Sequence, residues 1–319
     1  MKKKLFLCFI ISAITVFIAN AGPLNLSHID ASAKWLIHLD MESLRTSSLG
    51  QFILGEAEKE EIKAKLEAFK AIFSFDPLHD INSLTVYGCS LSPESSTAII
   101  NGNFNPERAL VIIKANDSYE KVSYGPYAIH KWVDDNSGEI NKIHWGCFYK
   151  DNTLIIANKK ENITQTLDVL DGKKANITPA NPLPTLIPSH PEMILAIGLG
   201  NISENEIIPA QANILKTAEG FGIGLWEENN NITGKMALKA KTEQMAASVM
   251  QIIQGWLALA SLNQNQDPQI TAMAQAVKVN TNGCLVKLNF SYPASSIIEI
   301  IKKNHPSKRQ AGSETTNQN

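Results

Sequence analysis

Ala33-Lys34-Trp35-Leu36-Ile37-His38-Leu39-Asp40 is the stretch on which the reading of this chain turns. Trp35, Leu36, Ile37 and Leu39 form a compact apolar run of strand length, and Asp40 is a residue type whose carboxylate caps a following helix. Downstream, Leu44, Leu49, Phe52, Ile53, Ile62, Leu66, Phe69 and Phe73 fall mostly at helical spacing with a break near Gly55, which predicts two successive helices over residues 41–73. Residues 84–91 and 97–102 are rich in Val, Ile, Thr and Tyr and are joined by Ser92-Pro93-Glu94, so they read as two strands. Pro106–Lys114 reads as a helix. Residues 127–133, 142–150 and Thr153–Ala157 read as strands, with turns at Asn136-Ser137-Gly138 and Asp151-Asn152. A helix over 163–170 is stopped by Gly172.

Prolines then crowd the chain. Pro179, Pro182, Pro184, Pro188 and Pro191 deny residues 177–190 regular helix or central-strand geometry and predict an extended connector. Beyond it the order recurs. Residues 192–199 read as a strand, and Ser203 with Glu206 as a capping box for a helix to about residue 218. Phe221, Ile223 and Leu225 alternate with glycines, expected to fill the core side of a strand while the bare glycine face admits a crossing helix or backbone. Asn229-Asn230-Asn231 turns into a second strand over 232–241. Met245, Val249, Ile252, Ile253, Trp256, Leu259 and Leu262 stripe a long helix, Asp267-Pro268 opens a short one, strands at 277–280 and 284–290 flank Asn282-Gly283, and Pro293 starts a last helix through Ile301. The expectation is an α+β fold of two structurally similar halves, each an antiparallel sheet with helices on one face in the split β-α-β, ferredoxin-like order. The boundaries are an N-terminal domain at 22–177, a connector at 178–191, a C-terminal domain at 192–304 and a polar tail at 305–319.

The 319 residues are 44% hydrophobic and 19% charged, a globular balance. Lys and Arg number 29 against 31 Asp and Glu, so no basic excess exists to neutralise a phosphate backbone, and no nucleic-acid partner is expected. Met1-Lys2-Lys3-Lys4 precedes an apolar run over 5–18 that is shorter than the ~20 residues a membrane-spanning helix needs. Ala19-Asn20-Ala21 follows with small residues at the peptidase positions, then Gly22-Pro23. This reads as a signal peptide over 1–21, with an uncleaved anchor as the competing reading, and it predicts a mature protein outside the cytoplasm, periplasmic or secreted, with no membrane span after cleavage. Cys8 lies inside the apolar run and is no lipid-attachment residue. Of Cys89, Cys147 and Cys284, the first two sit in strand-like stretches and are the one pair worth testing as a disulfide, although three buried small hydrophobes is the preferred reading.

Several constellations invite chemistry. With a hairpin centred on Ser137-Gly138, His130 would lie opposite His144, and Trp132 and Asp134 would share the His130 face. His130, Trp132 and His144 are therefore the candidate binding residues. A one-residue slip would dissolve them as a metal site, and paired strand histidines beside aromatic packing is the preferred reading, with no metal or cofactor expected. Asp76-Pro77-Leu78-His79-Asp80 reads as a helix stop and turn. Gly220-Phe221-Gly222-Ile223-Gly224 lies in a strand, where phosphate cradling does not occur. Glu227-Glu228 and Asp134-Asp135 sit at hairpin ends, as solvated charge does. No Gly-x-Ser-x-Gly elbow, His-Glu-x-x-His helix, phosphate loop or Cys-x-x-Cys occurs, which removes the usual warrant for hydrolase, zinc protease, NTPase and thiol redox roles, and no catalytic residue is assigned.

Residues 35–50, Trp-Leu-Ile-His-Leu-Asp-Met-Glu-Ser-Leu-Arg-Thr-Ser-Ser-Leu-Gly, followed by Phe75-Asp76-Pro77 and Leu84-Thr85-Val86-Tyr87-Gly88, are similar to uncharacterised exported proteins of planctomycete and verrucomicrobial type bacteria. Leu167-Asp168-Val169-Leu170-Asp171-Gly172 and the hairpin over 225–241 extend the likeness along the mature chain. The resemblance implies export and a duplicated α+β fold, and brings no activity, cofactor or site residue. The functional expectation is an exported, non-catalytic binding or envelope-associated scaffold protein with an unknown protein or small-molecule partner. The alternative is an extracytoplasmic, metal-dependent hydrolase with a site assembled from distant residues. Self-association as a homo-oligomer, through a sheet edge or the Trp256 helix, is the third class.

Overall fold

A computed structural model describes residues 22–134, 142–150, 152–177, 181–200, 218–262 and 268–304. The signal peptide predicted over 1–21, the predicted turn at 136–138, the predicted capping box at Ser203 and Glu206 and residues 305–319 lie outside the described residues.

After a short 3-10 turn at Leu26–His28 comes β1 (Trp35–Asp40), and Asp40 caps α1 (Met41–Thr46) by accepting from the backbone N–H groups of Glu42 and Ser43 at 2.9 and 3.0 Å. Three helices follow rather than two. Ser47 both ends α1 and caps α2 (Ser48–Ala57) through the Gly50 N–H, and the chain restarts at α3 (Glu60–Phe73). Gly55 lies inside α2, because a serine that satisfies free N–H groups marks a helix boundary more firmly than a glycine that merely weakens one. Next come β2 (Ile81–Gly88), β3 (Ser96–Gly102), α4 (Pro106–Lys114), β4 (Glu120–Tyr124), β5 (Tyr127–Asp134), β6 (Lys142–Tyr149), β7 (Thr153–Ala157) and α5 (Lys160–Leu170). β4 escapes sequence reading because Val122 is its single aliphatic residue: it is an exposed edge strand, turned into β5 by Gly125 at φ +55°. The second part runs α6 (Leu183–Leu186), β8 (Met193–Gly200), β9 (Ala218–Glu228), β10 (Asn231–Ala240), α7 (Glu243–Leu262), α8 (Pro268–Gln275), β11 (Lys278–Asn282), β12 (Leu285–Pro293) and α9 (Ala294–Asn304).

The fold is α+β. The twelve strands among the described residues join one sheet, in the order β11-β12-β10-β9-β8-β1-β2-β3-β7-β6-β5-β4. Two separate sheets are not formed, because β1 pairs with β2 on one side and with β8 on the other. Every pairing between the described strands is antiparallel. A split β-α-β arrangement occurs once among them, where β10 and β11 lie parallel on either side of β12, whereas β1 and β2, joined through three helices, pair directly with no strand between them. Outward from the β1–β8 seam, one side runs β1-β2-β3-β7-β6 and the other β8-β9-β10-β12-β11, with β5 and β4 extending the first.

Helices cover both sheet faces, not one. On the face carrying Ile129, Cys147 and Ile155, α5 contributes Ile163 and Leu167. The opposite face carries Leu238 and Val286, and there α7 contributes Ala246 and Val249. The proline-rich stretch is no free spacer either: Leu183 and Ile187 join Leu36, Tyr87, Ile99 and Ala196 in one core cluster. It fits against the sheet because glycines line its path. A Cβ at Gly222 would stand 2.4 Å from the backbone of Leu186, and one at Gly198 would stand 2.7 Å from Ile187. The glycine face is thus the more buried side of β9, and Phe221, Ile223 and Leu225 point to the other. On α7 the predicted stripe is only partly used. Val249 is buried, whereas Trp256 is 58% exposed and Met245, Ile252 and Leu259 are exposed too. No helix among the described residues is long and apolar enough to cross a membrane.

Cys89 follows β2 and Cys147 lies in β6, with β3 and β7 between those strands, a lateral gap well over the ~4 Å that a disulfide allows between Cβ atoms. Cys89, Cys147 and Cys284 are free thiols.

Candidate functional site

The β5–β6 register places His130 opposite Gly146 and Trp132 opposite His144, two positions away from the pairing expected of a hairpin centred on Ser137-Gly138. His130 and His144 share a face but do not face one another. Each imidazole has its own aromatic partner: His130 stacks on Tyr119 at 5.9 Å between ring centroids, and His144 stacks on Trp132 at 5.7 Å. Among the described residues no group of three His, Cys, Asp or Glu side chains could hold a metal.

The candidates nonetheless point to a site. His130 and Trp132 are part of the floor of a 330 Å³ cavity on the α4 side of the sheet. Strand alternation puts Ile100, Gly146, Phe148, Leu154 and Ile156 beside them, from β3, β6 and β7. The roof is α4, through Ala109, Leu110 and Ile113, together with Phe69 of α3. Phe75 and Phe104 stack at 5.1 Å to close one side, with Phe148 edge-on to Phe104 at 6.2 Å and Phe69 edge-on to Phe75 at 6.3 Å. Gly146 suits the floor: a Cβ there would lie 3.0 Å from the Trp132 indole, so any side chain would push the ring off β6.

Polar residues around the cavity build its frame. The Arg108 guanidinium donates to the carbonyls of Ala71 and Ile72 at 3.1 and 3.4 Å, tying α4 to the end of α3. Asn105 caps α4 through the Arg108 N–H. The Asp76–Asp80 turn is structural, as its sequence suggests. The Asp80 carboxylate accepts from the Asp76 N–H at 2.7 Å, and Asp76 accepts from Leu78 N–H and holds Lys70 at 2.8 Å and His79 at 2.7 Å. Burial would raise the Asp76 carboxyl, but these donors outweigh it and hold its pKa below the usual carboxylate range. His130 moves the same way for another reason. Burial, then the nearby Lys121 and Lys114 ammoniums, lower its pKa, so the imidazole is neutral at neutral pH. Its Nδ1 is engaged by the Tyr119 hydroxyl at 3.0 Å.

A second hollow of 360 Å³ lies on the other sheet face beside Gly22 and is lined by amides and hydroxyls including Asn82, Ser83, Thr85, Asn101 and Asn152. Several of these groups satisfy each other, as Asn101 does with Ser83 at 3.0 Å and with Thr153 at 2.9 Å. The first cavity is the better candidate, because its walls are rings and alkyl groups that no internal hydrogen bonding explains.

Of the residues singled out from sequence, His130 and Trp132 line the cavity and His144 does not; Phe69, Phe75, Phe104 and Phe148 were not singled out as site residues. Those four phenylalanines come from separate elements, and only the strand-face parity of Phe148 with His130 carried any signal.

No family model matches the chain, and no curated protein matches it. Among solved structures, crystal form I of the Treponema protein TP0453 is similar at 9% identity and a TM-score of 0.47, covering 88% of this chain and 98% of that one. Crystal form III is similar at 9% identity and a TM-score of 0.46, covering 89% and 99%.

Proposed function

We propose that the protein is an exported, non-catalytic binding protein that holds an apolar ligand in the cavity between α3, α4 and strands β3, β5, β6 and β7. The observation that carries this reading is the lining: apart from Asn105, His130 and the Trp132 indole N–H, every lining residue is aliphatic, aromatic or glycine. A cavity of this size lies in the ~300–1,000 Å³ range of small-molecule pockets, and water inside it finds few polar partners, so an apolar molecule displaces it favourably. Binding is favoured over turnover because the single imidazole at the cavity is a neutral group whose Nδ1 is taken by Tyr119. Export rests on the charged, apolar and small-residue pattern of residues 1–21. The matching strand orders on the two sides of the β1–β8 seam support an internal duplication.

The test is a titration of the chain from Gly22 onward with N-phenyl-1-naphthylamine, an uncharged probe that brightens in apolar surroundings. The expected result is saturable, one-site enhancement, weakened about tenfold or more in Ala109→Trp, whose indole fills the roof while the exposed parts of α4 keep their contacts. A wild-type protein that folds, as judged by circular dichroism, and gives no saturable enhancement overturns the reading.

A further inference from the structure

We infer that the ligand is an anionic amphiphile, a single alkyl chain bearing a carboxylate, whose tail fills the aromatic cavity and whose head sits at the end marked by His130, Lys114 and Lys121. This rests on the apolar-ligand reading and adds a charge to it. The interior offers a charged group nothing, so a head group belongs at an end of the cavity, and the two sides of the β4–β5 hairpin are not alike. Lys121 is paired with His130 across β4 and β5, so both side chains leave the sheet on the cavity face. Lys114 ends α4 directly after Ile113, which lines the roof. Neither lysine makes an ion pair with another described residue, whereas on the opposite face of the same hairpin Lys131 is matched by Glu120 at 2.8 Å. A lysine at a helix end complements the helix dipole and needs no further purpose. Two ammoniums without an ion pair among the described residues, both acting on one buried imidazole that lines an apolar cavity, are more than that. Both act on His130, which supports their closeness to it. The Tyr119 hydroxyl at the same end supplies a neutral hydrogen-bonding group.

The experiment displaces N-phenyl-1-naphthylamine with dodecanoate, dodecanol and dodecylammonium, below their aggregation limits and at low salt. Dodecanoate is expected to bind about fivefold to tenfold more tightly than dodecanol, as two partly screened ion pairs would give, with dodecylammonium weakest and the preference shrinking as salt rises. The double variant Lys114→Gln, Lys121→Gln changes only exposed side chains, so the fold is kept. It should abolish the preference and leave dodecanol affinity unchanged. Equal affinities for the three compounds, or a preference that survives the double variant, overturn the anionic head group while leaving the apolar cavity standing. If none of the three displaces the probe, the cavity reading itself falls, and this inference with it.

Discussion

Asp40 is almost fully buried at the point where β1 becomes α1, and its carboxylate takes two backbone N–H groups that would otherwise have no partner. Asp40→Ala is expected to cost about 1 kcal/mol in denaturant unfolding, and Asp40→Asn much less, since the amide oxygen caps as well. This cap is legible in sequence because donor and acceptor lie within three positions. Asp30 is the contrary case. Burial alone would raise its pKa, but the Lys174 ammonium at 2.6 Å and the Ser32 hydroxyl and N–H lower it below 3.8, and nothing in the sequence joins residues so far apart. A carboxyl depressed in the fold stabilises it above the unfolded pKa, and that stabilisation drains as pH falls through the folded value. Asp30→Asn should therefore flatten the acid limb of the stability profile below about pH 4. His38 is buried against Thr85, at 2.8 Å, and burial lowers its pKa below 6.5 against the opposing pull of Asp40. Its neutral form belongs to the fold, so stability is full above the unfolded value and declines as pH falls from there. A melting temperature that does not drop between about pH 7 and pH 5 would contradict this.

At the scale of elements, the glycines of β8 and β9 and the proline-rich stretch form one device. The sequence pattern announced a bare strand face awaiting a close neighbour. It did not announce that the neighbour would be residues 182–188, because prolines only forbid regular structure and do not say where the chain lies. Gly222→Ala is expected to cost about 1–3 kcal/mol, since the new methyl meets backbone that has no rotamer to change. Gly255 on α7 is the control. A Cβ there has open space, and Gly255→Ala should stabilise by about 0.5–1 kcal/mol. A melt that ranks the two variants the other way would refute the packing described for residues 182–188. The α7 stripe shows the limit of periodicity. The 3.6-residue period predicted the helix correctly, but among the described side chains of the stripe only Val249, with neighbouring Ala246, is fully buried against the sheet, as a single docked face needs.

Across the whole molecule, the seam between β1 and β8 governs behaviour. The core cluster at the seam takes Leu36, Tyr87 and Ile99 from before the prolines and Leu183, Ile187 and Ala196 from within and after them, so neither side encloses it alone. Calorimetry of the chain from Gly22 onward should therefore show one cooperative transition rather than two. A fragment of residues 22–177 would leave the hydrogen-bonding edge of β1 and part of that cluster in water, and is expected to aggregate rather than fold as an independent domain.

The amino-acid order determined where most strands and helices lie, because alternation, helical spacing, caps and turn residues act over a few positions and need nothing distant to be satisfied. Pro106–Lys114 and Thr153–Ala157 emerge with the bounds read from composition alone. Tertiary structure decided the rest: that twelve strands share one sheet, that both its faces are covered, that the two histidines turn to separate aromatic partners, and that phenylalanines from scattered elements enclose a cavity. The physical reason is that strand pairing and burial are collective. A local pattern specifies which side of an element is apolar, but which other apolar side it meets depends on how the entire chain best removes such surfaces from water while pairing its backbone.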